Sequence, residues 1–217
     1  MKRRKKPTNK LVILPILIGI GLIAYSLFTY LGWHKNTTGP SPEVTDSTIN
    51  YSDPNPSEIK PKCDEYKVPD DKPRFINIPS INASGCIIKV GTDQNKAVAA
   101  PSSIYLAGWY TGSVLPGDKG VSLIDGHVSG KYADGIFKNI RKLKKSDTFQ
   151  VEFGDSSTRS FEVVSVSSYS VDDTSTQMLK QHDEVQNQLN LITCTGSFNK
   201  NTQQYDKRVI VVSKFIN

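Results

Sequence analysis

A thiol, a guanidinium and an imidazole stand where acyl-transfer chemistry could use them, at Cys194, Arg208 and His127. Cys194 ends one β-prone run, LNLITC, and Arg208 begins the next, RVIVV, with a loop between them. If consecutive strands pair antiparallel, the end of the first lies beside the start of the second, with opposed residues about 4.5–5.5 Å apart. The two side chains then meet at one rim of a sheet. A guanidinium there favours the thiolate, and it can donate to the oxyanion formed when sulfur attacks a carbonyl. His127 follows another β-prone run, in VSLIDGHVSG, on the kind of Gly-flanked loop where function concentrates. The chain order His, Cys, Arg differs from that of papain-like proteases, in which Cys precedes His. From spacing alone a plain reading stays open, with a buried structural cysteine and an unrelated surface histidine.

The elements that must position these groups read as β-strands. From Lys72 onward, short β-prone runs are punctuated by turn residues, the pattern of an all-β sandwich or barrel. Expected strands are Arg74 to Ile78, Cys86 to Val90, Val121 to Asp125, Thr148 to Phe153, Thr158 to Ser168, Gln188 to Cys194 and Lys207 to Phe215. In the fourth of these Phe149, Val151 and Phe153 alternate with Thr148, Gln150 and Glu152, and Gly154-Asp155 supplies a turn into the next. Ile136, Ile140 and Leu143 recur at helical spacing and predict a short helix near Gly135 to Leu143, with a second over Thr176 to His182. Asp125, just before the His127 loop, has two readings, a residue that orients the imidazole or a turn and surface residue. His34 and His182 lie in polar surroundings and read as solvated.

The chain has 217 residues, 37% of them hydrophobic, which suits one domain with added segments. Its net charge of +6 is local. Lys2, Arg3, Arg4, Lys5, Lys6 and Lys10 account for it, since removing six from 27 Lys+Arg leaves 21 against 21 Asp+Glu. A nucleic-acid binder would carry that excess on a folded face, so no nucleic-acid partner is expected. After this basic flank, residues 1–10, the uncharged run from Leu11 to Trp33 spans roughly 34 Å as a helix at about 1.5 Å per residue, enough for a bilayer core of about 30 Å. Residues 11–33 therefore read as a single-pass signal anchor at the cell membrane, with the N-terminus cytoplasmic and the remainder extracellular. A cleaved signal peptide is the competing reading, opposed by the length of the run and the lack of an A-x-A-like site.

Residues 34–71 are dense in Pro, Ser, Thr, Asn and Asp and read as an extracellular stalk, with Tyr66 and Val68 available to dock on the domain that occupies 72–217. Three cysteines in an exported chain leave one over. A disulfide between Cys63 and Cys86 would clip the stalk to the domain and leave Cys194 free. Two unpaired thiols, with Cys86 buried in a strand, are the alternative.

The stretch LITC, Leu191 to Cys194, resembles the sortase signature T-L-x-T-C, with Asn190 in place of its first Thr. GHVSG, Gly126 to Gly130, resembles the motif around the catalytic His of that family, and YDKRVIVV, Tyr205 to Val212, the strand that begins with its Arg. RFINIPSI (Arg74 to Ile81), GWYTGSVLPGDKG (Gly108 to Gly120) and GIFKNIRKL (Gly135 to Leu143) resemble segments of class D, E and F sortases, and LITCTGSFNKNTQQY is most similar to class F. The similarity covers about Pro73 to Phe215, with motifs in family order and at family spacing.

The resemblance implies a closed β-barrel of about eight strands with one or two short helices. It also implies a cysteine transpeptidase that cleaves an LPxTG-like sorting signal and passes the surface protein to an amine of the cell-wall peptidoglycan precursor or of a pilin. Catalysis then falls to His127, Cys194 and Arg208, with Thr193 and Thr195 beside them, while Val171, Met178 and Leu179 contact the apolar end of the signal. No cofactor is implied. Ca²⁺ serves some sortases, but Asp172, Asp173, Asp183 and Glu184 match no ligand spacing. Two other classes of function are weighed against this one, a non-catalytic anchored β-domain that binds wall polymer or protein and a hydrolytic cysteine peptidase.

Overall fold

The computed structural model describes residues 60–217 apart from Asn95 and Lys131. The basic flank 1–10, the anchor expected over 11–33 and most of the stalk lie outside the described residues. Within them, eight strands form a closed barrel: β1 (Pro73–Ile78), β2 (Ala83–Val90), β3 (Ala107–Tyr110), β4 (Gly120–Gly126), β5 (Thr148–Phe153), β6 (Thr158–Ser170), β7 (Asn187–Asn199) and β8 (Gln204–Phe215). Their order around the barrel is β1-β2-β3-β4-β7-β8-β6-β5. Only β2 with β3 and β4 with β7 run parallel.

Strand alternation divides each sequence between two environments. Leu189, Leu191, Val209 and Val211 point inward and join Ile76, Ile78, Val151, Phe149 and Phe161 in the core, where the last two rings stack at 5.5 Å. Their neighbours Ile192 and Ile210 point outward and meet Leu123 in a second, smaller apolar cluster on the outer wall. Val98, Tyr110, Tyr169, Met178 and Val212 pack around it. A patch of this kind is what an apolar ligand segment needs for a floor.

Three expectations are corrected. Gly135 to Leu143 is no α-helix, because Ile136 N donates to Ile104 O and Phe137 N to His127 O, while later amides close onto carbonyls three residues back. What remains is a chain of tight turns ending in a 3₁₀ turn at Ile140–Lys142. It buries Ile136, Phe137, Ile140 and Leu143. The second helix, α1, occupies Val171–Gln177 instead of starting at Thr176. Its start is fixed by Ser170, whose hydroxyl accepts from Asp173 N and donates to the Asp173 carboxylate, a reciprocal cap of the kind that begins helices. Strand β3 has no counterpart among the expected strands, since four residues reading AGWY carry no period.

The last residues of the stalk segment lie along the barrel. Cys63 and Cys86 are bonded, with Cα atoms 5.2 Å apart, and Arg74 Nη1 donates to Cys63 O at 2.9 Å. Gly154 N donates to Lys72 O, and a Cβ at Gly154 would come within 2.3 Å of Pro69 O, so the approach requires glycine. Burial of the Tyr66 ring against the domain raises its phenol pKa.

Candidate active site

Cys194 and Arg208 face each other across the β7–β8 ladder as direct partners. Both follow the outward alternation of Ile192 and Ile210, so sulfur and guanidinium share the outer wall with the small apolar cluster. Beyond Cys194 the ladder is interrupted between Thr195 and Phe198. Gly196 there has φ +88°, and a Cβ on it would lie 2.0 Å from Asp206 Oδ1, the same oxygen that accepts Ser197 N at 2.7 Å. The bulge therefore needs glycine, and it bends the hairpin just past the sulfur.

His127 reaches the same rim from β4. Thr193, one residue before Cys194, donates its hydroxyl to the carbonyl of Gly126, one residue before His127, at 2.5 Å. That bond ties the two strand ends together. It also fixes the position of Thr193, whose side chain is inside the barrel and 2% exposed. The imidazole Nε2 is 2.8 Å from Pro101 O, and since a carbonyl can only accept, Nε2 carries hydrogen in this arrangement. Gly135 packs against the loop from behind, where a Cβ would fall 2.2 Å from His127 O. Ser129, two residues on, hydrogen-bonds the Tyr205 hydroxyl at 3.0 Å, linking the His127 loop to the start of β8.

Asp125 is the residue that sequence reasoning underrated. It alternates with Leu123 on the outer face of β4 and pairs with Ile192, so it stands between His127 and the Cys194–Arg208 pair. Burial pushes its carboxyl up to about 6, opposed by the His127 cation, by Gly126 N–H donating at 2.7 Å and by Arg208. The Cys194 thiol is also raised, chiefly by burial and further by the Asp125 charge, while Arg208 pulls it back. Cation, anion and thiol thus act on one another at a single rim, and the resting sulfur is predominantly thiol at neutral pH. The Arg208 guanidinium donates to Tyr205 O and Lys207 O, both at 3.0 Å, which holds its planar head at the start of β8. The signal for Asp125 was in the sequence: Val121, Leu123 and Asp125 share one face of a strand whose next turn carries His127.

The other expected site residues divide by position. Thr195 pairs with Lys207 on the ladder, one step past the sulfur. Met178, at the end of α1, packs on Leu123, Ile192 and Ile210. Val171 and Leu179 are 40% and 37% exposed on the same connection between β6 and β7. Asp172 and Asp173 occupy the first turn of α1, where Asp173 bonds the Ser170 cap through both its N–H and its carboxylate.

No curated protein matches the chain. Among solved structures, a lid mutant of sortase A from Corynebacterium diphtheriae is similar at 26% identity and TM-score 0.53, over 67% of this chain and 70% of that one. Sortase C-1 from Actinomyces oris is 27% identical with TM-score 0.49, over 66% and 73%. Sortase C2 of Group B Streptococcus pilus island 1 is 22% identical with TM-score 0.50, over 70% and 77%. The sortase-domain family model matches residues 76–216, the whole barrel but for the start of β1, and the chain belongs to the sortase family, whose members are cysteine transpeptidases.

Proposed function

We propose that this sortase is anchored by residues 11–33 with its barrel outside the cell, and that it cleaves an LPxTG-like sorting signal through Cys194. The observation that carries the reading is the cross-strand pairing of Cys194 with Arg208, on a rim where the chain after β4 delivers His127. In the first half-reaction the Cys194 thiol passes its proton to His127, the sulfur bonds to the Thr carbonyl carbon of the signal, and Arg208 donates to the oxyanion. The C–N bond to Gly then breaks, and His127 gives its proton to the departing amine. The resulting thioester keeps the acyl group activated until an amine of a wall precursor or pilin attacks, with neutral His127 accepting its proton; the C–S bond then breaks, and the Cys194 sulfur leaves as thiolate and takes that proton back.

Burial of the thiol makes thiolate the minor form, and this suits an enzyme that must wait for substrate without reacting with other electrophiles. Thr193 supports the nucleophile from beneath, and the backbone at Thr195, the next residue along, assists the oxyanion in this reading. Met178, with Val171 and Leu179, receives the Leu-Pro part of the signal on the outer apolar cluster. The reading calls on no cofactor, and the LITCTGSF stretch aligns the enzyme with class F. Incubation of the full-length chain with an LPxTG peptide, with and without a glycine-based amine, tests the reading through its products. Transfer to the amine supports it, hydrolysis alone points to a peptidase, and an intact peptide points to a binding domain.

A further inference from the structure

The outer face of β7 carries an anomaly next to the apolar cluster. Ile192 and Cys194 share that face with Asn190 and Gln188, two primary amides whose residues are 0% exposed. Burying amides costs free energy unless each polar atom finds a partner, and here each does. Asn190 Nδ2 donates to Met178 O at 2.8 Å. Gln188 Nε2 donates to Lys180 O and to Asn190 Oδ1, both at 3.0 Å, and Gln188 Oε1 accepts His182 N at 2.7 Å. The two side chains thus hold backbone groups at 178, 180 and 182, alternate residues of the connection that follows α1. They do for that segment what a neighbouring strand would do.

We propose that Asn190 and Gln188 are specificity-positioning residues, pegging segment 178–182 to β7 so that Met178 stays packed on the outer apolar cluster beside Cys194. The inference rests on the sorting-signal reading above and deepens it. Asn190 lies four residues before Cys194 on one strand, about 13 Å at 3.3 Å per residue. The first residue of an extended four-residue acyl segment bonded to the sulfur lies about 10 Å from the last, beside Ile192 and under Met178. Asn190 stands where the family signature has Thr, whose hydroxyl ends one bond sooner than the amide nitrogen that meets Met178 O. Discrimination for a large apolar residue at that end of the signal therefore depends on this amide peg.

The test uses the full-length chain in detergent, as wild type and as Asn190→Asp, which keeps the shape but sets an acceptor against Met178 O. Initial rates are measured on Leu-Pro-Ala-Thr-Gly and Ala-Pro-Ala-Thr-Gly peptides. Hydrogen exchange of amides 178–182 and the rate of Cys194 alkylation by iodoacetamide are measured alongside. The preference for the Leu peptide in kcat/KM is expected to fall about tenfold, through KM with kcat little changed. Faster exchange at 178–182 and an unchanged alkylation rate are expected with it. An unchanged preference, or an equal loss on both peptides, overturns the proposal. If Asn190→Asp fails to fold, Gln188→Ala, which keeps the Asn190–Met178 bond but releases residues 180 and 182, is read by the same criteria. Should the wild type cleave neither peptide, the sorting-signal reading fails and the specificity role with it. A failure of the peg alone shows only in the variants.

Discussion

Replacing Asp125 with Asn should make the barrel more stable at neutral pH while impairing the enzyme. The carboxyl ionises near 3.8 in an unfolded chain, and burial pushes it up to about 6 in the folded one. Between those values the folded protein holds a proton that the unfolded chain has released, so stability declines as pH rises through about 4 to 6 and stays at the lower level above. Two pKa units correspond to about 3 kcal/mol, and the partial exposure of Asp125 to water reduces the effect to about 1–2 kcal/mol. Asn keeps the shape and removes the charge, so Asp125→Asn should raise the melting temperature by about 3–6 °C at pH 7.5 and by little at pH 4. The Asp125 charge also helps hold the Cys194 thiol high, so the variant should be alkylated by iodoacetamide faster than wild type at pH 7. Turnover should drop, because the carboxylate that attracts the His127 and Arg208 cations is gone. Thermal unfolding by near-ultraviolet circular dichroism at the two pH values, with alkylation kinetics, checks all three. A variant less stable than wild type at pH 7.5, or equally stabilised at both pH values, would show that attraction to the cations outweighs burial and refute the reasoning.

Other perturbations reach the remaining parts of the site. Arg208→Lys keeps the charge but loses the planar fork, and kcat/KM for peptide cleavage should fall about 10²–10³-fold with folding intact by circular dichroism. Gly135→Ala forces a methyl into the backbone of His127, so the melting temperature should fall and acylation measured by single turnover, at a temperature where the variant is folded, should slow with it. Removing the Cys63–Cys86 bridge with Cys63→Ala and Cys86→Ala opens a loop of 23 residues separation and should cost about 3 kcal/mol in denaturant unfolding, leaving Cys194 alkylation unchanged in the folded protein.

The sites most legible in the sequence were those where chemistry and period coincide. LNLITC and RVIVV are consecutive β-prone runs joined by a loop, so antiparallel pairing brings the end of the first beside the start of the second, and the ladder has Cys194 opposite Arg208. Ile136, Ile140 and Leu143 have helical spacing but no helix, because the amides of Ile136 and Phe137 bond to Ile104 and His127, partners that spacing does not reveal. The start of α1 was readable in principle from Ser170 and Asp173, a capping pair overlooked beside the stronger apolar residues downstream. Strand β3 and the parallel pairing of β4 with β7 depend on long-range partners, and AGWY is too short to announce either. In the sequence Gln188 reads as an ordinary polar residue, Asn190 as a departure from the signature and Asp125 as either an orienting or a surface residue. Only the outward face they share with the sulfur, covered by a distant segment, gives them consequence.

The central claim is that Cys194 becomes covalently acylated by a sorting signal. The direct measurement is mass spectrometry of the full-length chain after incubation with an LPxTG peptide and no added amine, followed by peptide mapping. The account predicts an acyl adduct on the tryptic fragment containing Cys194, released by hydroxylamine and absent in Cys194→Ala. Cleavage of the peptide that persists in Cys194→Ala, or a thiol that iodoacetamide labels while no peptide ever acylates it, would contradict it.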